Sequence, residues 1–385
     1  MKGHIRERGA GNWYAVIERK DPATGKRKRK WQKLKARGKR EAQIECAQLI
    51  SQVSSGVYID SKKITLRQFL EIWLAFKKPN VSPRSYERYE ELALKNIAPL
   101  LGEVTLTQLR AEHISQAYAK AVESGRRDGK GGLSPRTIHH MHRVLRQALG
   151  QAMKWDRLNK NPCDLLKKED RPKIEKKAVV TLDPAATVKM LEAARESRWF
   201  VPMLLGSMCG IRRGEIAALR WSDIQWDQEQ ITVKNSIEQT KTGCREKETK
   251  GSKCRTIAMP AILIEELKAW RVRQAQEFLR LGMRPDGNTR VVTKADGSSP
   301  NPQSLTDTIS RFMKEQGSAV RLHGLRHSHA SHLLAENVHP KIVQERLGHY
   351  SIAITMDIYS HLMPNMQADA AAKVDAALRA AKKPR

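Results

Sequence analysis

Residues 323–361, HGLRHSHASHLLAENVHPKIVQERLGHYSIAITMDIYSH, constrain this chain most, because their helix starts and stops are specified locally. His323 and Arg326, three apart, share a face if Gly324 opens a helix. Pro340 suits a first helical turn, Ile342, Val343 and Leu347 give the next helix its apolar positions, and Gly348 is its natural stop. His349 therefore sits just past a helix end. Ser351 can then cap a short helix that carries Tyr359. An imidazole, a guanidinium and a phenol are thus delivered by short rigid elements.

That set of groups suits attack by a phenol oxygen on a phosphodiester held by arginine. A phenol titrates near about 10, so it needs help to become a nucleophile. A phosphoryl transition state gathers negative charge, which guanidinium forks match with paired hydrogen bonds. A second arginine is therefore expected. Arg212, in CGIRRGEIAALRWSDI, follows an apolar helix and opens another. The three segments GIRRGEIAALRW, HGLRH and LGHYSIAITMDIY, in this order and at these distances, resemble the tyrosine recombinase (phage integrase) family. The family's first arginine directly follows a Gly-aliphatic pair, here Gly210-Ile211, which favours Arg212 over its neighbour Arg213. Glu215 reads as an orienting partner for Arg212 or a local helix pair.

The 71 Lys+Arg against 41 Asp+Glu leave a net charge of +30 and imply a polyanionic partner. The sequence holds no apolar run long enough for a bilayer and no signal-peptide core, so a soluble, cytoplasmic protein without membrane contact is expected. Cys46, Cys163, Cys209, Cys244 and Cys254 are odd in number and scattered without CxxC pairs, which reads as reduced thiols.

The expected fold is multidomain α+β. Residues 1–63 read as a small sheet plus helix: strands at 12–18 and 29–34 about a DPATGK turn, then a helix marked by Cys46, Leu49, Ile50 and Val53. This segment carries 17 Lys+Arg against 6 Asp+Glu, and Trp13, Tyr14 or Trp31 could lie beside phosphates. It resembles the arm-binding domain of phage-type integrases. Residues 64–170 read as an all-α bundle, with the stripe Leu66, Phe69, Leu70, Trp73 and Leu74 and cap-plus-proline starts at Ser82-Pro83 and Ser134-Pro135. Those starts open helices that contain 86–96 and 138–155, and a third helix is expected over 111–123, with Arg84, Arg88, Arg136, His139, His140 and Arg143 able to follow a duplex backbone. In the family this is the SAM-like core-binding domain. Residues 161–177 read as an exposed linker. The remainder, 171–385, is expected to be a mainly α catalytic domain, with a small antiparallel sheet formed by 230–235 and 255–259 and an Ala-rich helical tail from 366 to 381.

The segment between those two strands is rich in lysine, and a departing 5′ oxygen needs a proton. By resemblance Lys250 supplies it, with Lys241 the alternative and Lys247 and Lys253 behind them. His323 and His327 have the i, i+4 spacing of a zinc pair, but the adjacent arginines disfavour a cation and no cysteine stands near. His323 and His349 instead suit phosphate oxygens, and His323 could also accept the tyrosine proton. His327, His329 and His332 read as packing or surface residues. The resemblance thus implies Arg212, Lys250, His323, Arg326, His349 and the nucleophile Tyr359 as catalytic residues. It implies a 3′-phosphotyrosyl intermediate, no metal or other cofactor, and exchange through a Holliday junction. The implied partners are double-stranded DNA at core and arm sites, four copies of the chain, a directionality factor and a host DNA-bending protein. The competing readings are a catalytically silent architectural DNA-binding protein and a type IB-like topoisomerase. Affinity for duplex DNA should fall steeply with added salt in a binding titration; a salt-independent constant would argue against the polyanion.

Overall fold

The computed structural model describes every residue except 1, 10, 21–26, 35, 37, 55–63, 176–178, 249–253, 360–370, 373, 377 and 380–385. The chain forms two compact units, Met1–Glu175 and Lys176–Arg385.

The first unit begins with an antiparallel sheet in the order β1 (Lys2–Glu7), β2 (Trp13–Lys20) and β3 (Arg27–Lys33). The sequence suggests only β2 and β3. β1 reads KGHIRE, too polar to announce itself, and owes its place to six backbone pairings with β2. Helix α1 (Lys39–Ser54) packs Ala42 and Cys46 against Ala15 and Leu34, with Ile5 and Trp13 beside them. Trp13 is thus half-buried against this core, which leaves Tyr14 and Trp31 of the three aromatic residues offered beside phosphates. Because strand side chains alternate, Tyr14 lies on the other face with Trp31, their rings 6.4 Å apart. The guanidinium of Arg8 lies 4.6 Å from the Trp31 ring centre.

The bundle that follows comprises α2 (Leu66–Lys77), α3 (Pro83–Glu90), α4 (Ala98–Leu101), α5 (Ala111–Ser124) and α6 (Pro135–Lys154). Leu66, Phe69, Leu70, Trp73 and Leu74 are all buried, as their spacing requires, each large side chain contributing about 1.5–3 kcal/mol. Ser82 and Ser134 accept from the amides of Ser85 and Thr137, which fixes the starts of α3 and α6. The helix that contains 86–96 opens at Pro83 as expected and extends beyond Asn96: α3 runs on through a widened π segment, Glu91–Ile97, into α4. Pro99 explains the widening, since it lacks a donor and its ring crowds the carbonyl four residues back. The expected linker is also shorter than its composition suggests. Asn161 and Cys163 are buried, Arg146 pairs with Asp164 at 2.6 Å, and His139 Nε2 meets the Pro172 carbonyl at 2.9 Å. His139 is thus engaged by the chain itself. Arg88, His140, Arg143 and Lys154 line a groove of about 730 Å³.

In the second unit Asp183 caps α7 (Pro184–Ala194), and the apolar α8 (Phe200–Cys209) ends at Gly210 before α9 (Arg213–Ala218). β4 (Ile224–Gln225), β5 (Gln230–Val233) and β8 (Arg255–Ala258) form one antiparallel sheet. The segment between β5 and β8 reads from sequence as a flexible loop, yet most of it is a second hairpin, β6 (Asn235–Thr240) with β7 (Gly243–Glu248). Glu246 ties this hairpin to Arg220 at 2.9 Å and Arg290 at 2.8 Å. Helices α10 (Ala261–Arg280) and α11 (Pro302–Glu315) complete the main core around α8. Then come α12 (Leu322–Ala335), α13 (Pro340–Leu347) and α14 (Ile352–Tyr359). A smaller core of Ala330, Leu334, Val343, Leu347 and Tyr359 joins the last three. The described tail residues between 371 and 379 are helical and exposed.

Gly210 and Gly348 end α8 and α13 in the left-handed conformation, with φ of 63° and 62°. A Cβ at Gly210 would also lie 2.7 Å from Leu347 and 2.9 Å from His329. Gly210→Ala should therefore lower stability by about 2–4 kcal/mol, measured by chemical denaturation; an unchanged midpoint would show that the bend relaxes freely.

Candidate active site

The bend after α8 and the bend after α13 meet, and two arginines are held across them. Arg326 sits on α12 and is 2% exposed. It donates to the carbonyl of Gly210 at 2.5 Å and to that of Leu347 at 2.6 Å. Arg212 stands where α9 opens and donates to the carbonyl of Gly348 at 2.6 Å. Each bend ends a helix, so its carbonyls lack helical partners and accept side-chain donors.

Glu215 holds this arrangement from within. Its Oε1 accepts from Arg212 Nη1 at 2.9 Å, and its Oε2 accepts from the Arg212 amide at 2.9 Å. The role read from sequence, partner of Arg212, is thus what the geometry gives. A second cation was missed. Arg255, first residue of β8, forks onto the same carboxylate at 3.0 and 2.6 Å and also donates to the Arg346 carbonyl. Its signal in the sequence was slight, a basic residue leading into a strand. Burial would raise the Glu215 carboxyl, yet the hydrogen bonds and charges of Arg255 and Arg212 hold it down at about 2.

His349 follows the bend, its Nδ1 2.9 Å from the Thr355 hydroxyl on α14. His323 lies one turn before His327 on α12, their rings edge to face at 4.9 Å. Burial first, then neighbouring positive groups, lowers both His323 and His349 to about 4. They are neutral near pH 7 in the protein alone. Arg326 falls to about 9 through burial and the proximity of Arg212, and remains charged near neutrality. Tyr359 is 1% exposed, and burial raises it to about 12 against the opposing pull of Arg326.

The tyrosine hydroxyl meets His327, not His323: Oη lies 2.5 Å from His327 Nδ1. His327 had read as packing or surface, because its spacing alone gives no hint of where Tyr359 returns. His329 is buried, and His332 bonds the Leu182 carbonyl at 2.8 Å, both in packing roles. Among the hairpin lysines, Lys241 occupies the turn between β6 and β7 and Lys247 pairs with Glu238. Lys250 and Lys253 lie outside the described residues.

The lowered His323, His349 and Glu215 set a pH window. Groups lowered on folding add stability above their unfolded values and lose it as pH falls through the folded ones. Stability should therefore decline as pH drops from 6.5 towards about 4 through His323 and His349. A further decline from 4.5 towards about 2 belongs to Glu215. Glu215→Gln should cost about 3–5 kcal/mol at pH 7 and erase the lower decline in denaturation curves; a neutral effect would show that Arg212 and Arg255 need no anion between them.

Residues 181–366 match the model of the phage integrase family, and residues 65–121 that of the phage integrase N-terminal SAM-like domain. The chain is similar to a XerC-like tyrosine recombinase of Caldanaerobacter subterraneus subsp. tengcongensis, 28% identical over 86% of this chain and 88% of that protein. It is similar to the ICEBs1 integrase of Bacillus subtilis, 25% identical over 92% of this chain and 94% of that protein. In fold it is similar to a Tn1549 transposon integrase in complex with a circular intermediate DNA, with a TM-score of 0.67 and 20% identity over 77% of this chain and 95% of that one. It also shares its fold with a lambda integrase tetramer bound to a Holliday junction, with a TM-score of 0.56 and 18% identity over 90% of this chain and 95% of that one. With the motifs, the bends and the two matched segments in agreement, the chain belongs to the tyrosine recombinase (phage integrase) family.

Proposed function

We propose that this protein is a site-specific DNA recombinase, the integrase of a prophage or integrative element, working in a bacterial cytoplasm. It cuts and rejoins DNA by transesterification. Arg212 and Arg326 hold the scissile phosphate, Tyr359 attacks phosphorus to give a 3′-phosphotyrosyl link, and Lys250 protonates the departing 5′ oxygen. His323 and His349 bond non-bridging oxygens. A 5′ hydroxyl of another strand then reverses the attack, and the ester conserves the bond energy between the two steps. What carries this reading is the convergence of two arginines, two neutral imidazoles and a buried phenol from segments far apart in sequence onto one pair of bends.

Four copies acting on two duplexes through a Holliday junction complete the reaction. Residues 1–63 bind arm sites, a reading supported by the exposed Trp31 with Arg8 over its ring. Residues 64–170 grip the core site, 171–385 perform the chemistry, and a directionality factor and a host bending protein assist.

Incubation with duplexes carrying a nick within randomised sequence should trap a covalent adduct whose bound members share one sequence. No adduct would leave only the architectural reading, and relaxation of supercoils without sequence preference would favour the topoisomerase. Tyr359→Phe should keep DNA binding and form no adduct on a denaturing gel. Lys250→Ala should cleave about 100-fold or more slowly and recover when the 5′ oxygen is replaced by sulfur, a better leaving group; failure to recover would move the role to Lys241. Removal of residues 1–63 should abolish protection of arm sites in footprints while cleavage of the core site persists.

A further inference from the structure

The sequence offered His323 as acceptor of the tyrosine proton, and the fold gives that position to another residue. Among the described residues Tyr359 Oη has one hydrogen-bond partner, Nδ1 of His327 at 2.5 Å. A neutral phenol donates its proton to Nδ1 in the tautomer that carries the ring hydrogen on Nε2, the form a base at this position requires. His323 stands behind, its ring against that of His327 rather than against the phenol. From this geometry we infer that His327 is a catalytic residue, the general base that receives the phenol proton when Tyr359 attacks phosphate.

The inference rests on the recombinase reading and deepens it. With Tyr359 at about 12, the phenolate fraction near pH 7 is only about 10⁻⁵, so proton removal during attack matters. Burial, then Arg326, lowers His327, so its ring is free to accept. In the step, the Oη–P bond forms as the P–O5′ bond breaks. The phenol proton moves to His327 Nδ1, and the 5′ oxygen takes a proton from the separate acid. On rejoining, the incoming 5′ hydroxyl gives its proton to that acid's conjugate base, and His327 returns its own to Oη. The groups around the ring are His323 and Arg326 on α12, His349 beyond α13 and Tyr359 on α14. Arg326 disfavours a lasting imidazolium, which suits a proton that must go back.

A hydrogen bond that merely packs the phenol would not alter how rate depends on pH. The test uses the full chain and a single nicked duplex cloned from the covalently captured pool. Adduct formation is followed in single turnover from pH 5 to 9, each pH an experimental setting spanning the ordinary imidazole range of about 6.5. His327→Asn keeps a polar group near Nδ1 and should slow the step about 100-fold or more while duplex binding is retained. It should also lose the acid-side fall in rate, which His323→Asn should keep. Placing 3,5-difluorotyrosine at 359 acidifies the phenol and should restore about tenfold or more to His327→Asn. If His327→Asn does not fold, His327→Phe, which keeps the ring volume, takes the same measurements. A variant that forms adduct with the wild-type acid limb, or gains nothing from fluorination, overturns the inference and leaves the recombinase reading intact. A wild-type chain that forms no adduct removes that reading instead, and the inference with it.

Discussion

One carboxylate, that of Glu215, makes the rest of the arginine cluster possible. Two guanidinium groups, from Arg212 and Arg255, approach it in a place where the carboxylate side chain is only 3% exposed. Buried charge is costly unless paired and hydrogen-bonded, and here each partner satisfies the others. The same contacts connect the start of α9, the start of β8 and the end of α13, because Arg255 also reaches the Arg346 carbonyl. An acidic residue among these arginines looks misplaced for binding an anion. Its position behind the arginines leaves it neutralised.

The histidines show the opposite side of the same electrostatics. His323 and His349 are both held uncharged by burial and by positive neighbours. An entering phosphate would offset the field of Arg212 and Arg326 and let imidazole N–H groups donate to oxygen. Tyr359 responds differently, because burial disfavours its anion more than Arg326 favours it. A site of this kind keeps its cations in place and its phenol protonated until an anion arrives.

What could be read in the sequence follows from what is local. Serine caps, prolines in first turns and the stripe from Leu66 to Leu74 dictate helices without help from distant residues, and they appear where expected. Arg212 and His349 were legible because each follows a helix end set by glycine, whereas α12 opens at Leu322 rather than at Gly324, and Arg326 was legible from its spacing to His323. The rest needed tertiary partners. β1 becomes a strand by pairing with β2, and Asn161 and Cys163 lose their linker character by packing on the bundle. The β6–β7 hairpin depends on Glu246 reaching Arg220 and Arg290, both remote in sequence. His327 was passed over because its meaning depends on where α14 returns its last residue.

Beyond the contact of Arg212 with Glu215, both arginines are attached to main-chain oxygens of the bends. Backbone atoms are common to all residue types, so the spacing between the two positive heads does not depend on which aliphatic groups fill α8 and α13. Drift that conserves volume at those apolar positions therefore leaves both guanidinium groups in place. The glycine corners have no such latitude, since every alternative side chain there brings strain or collision.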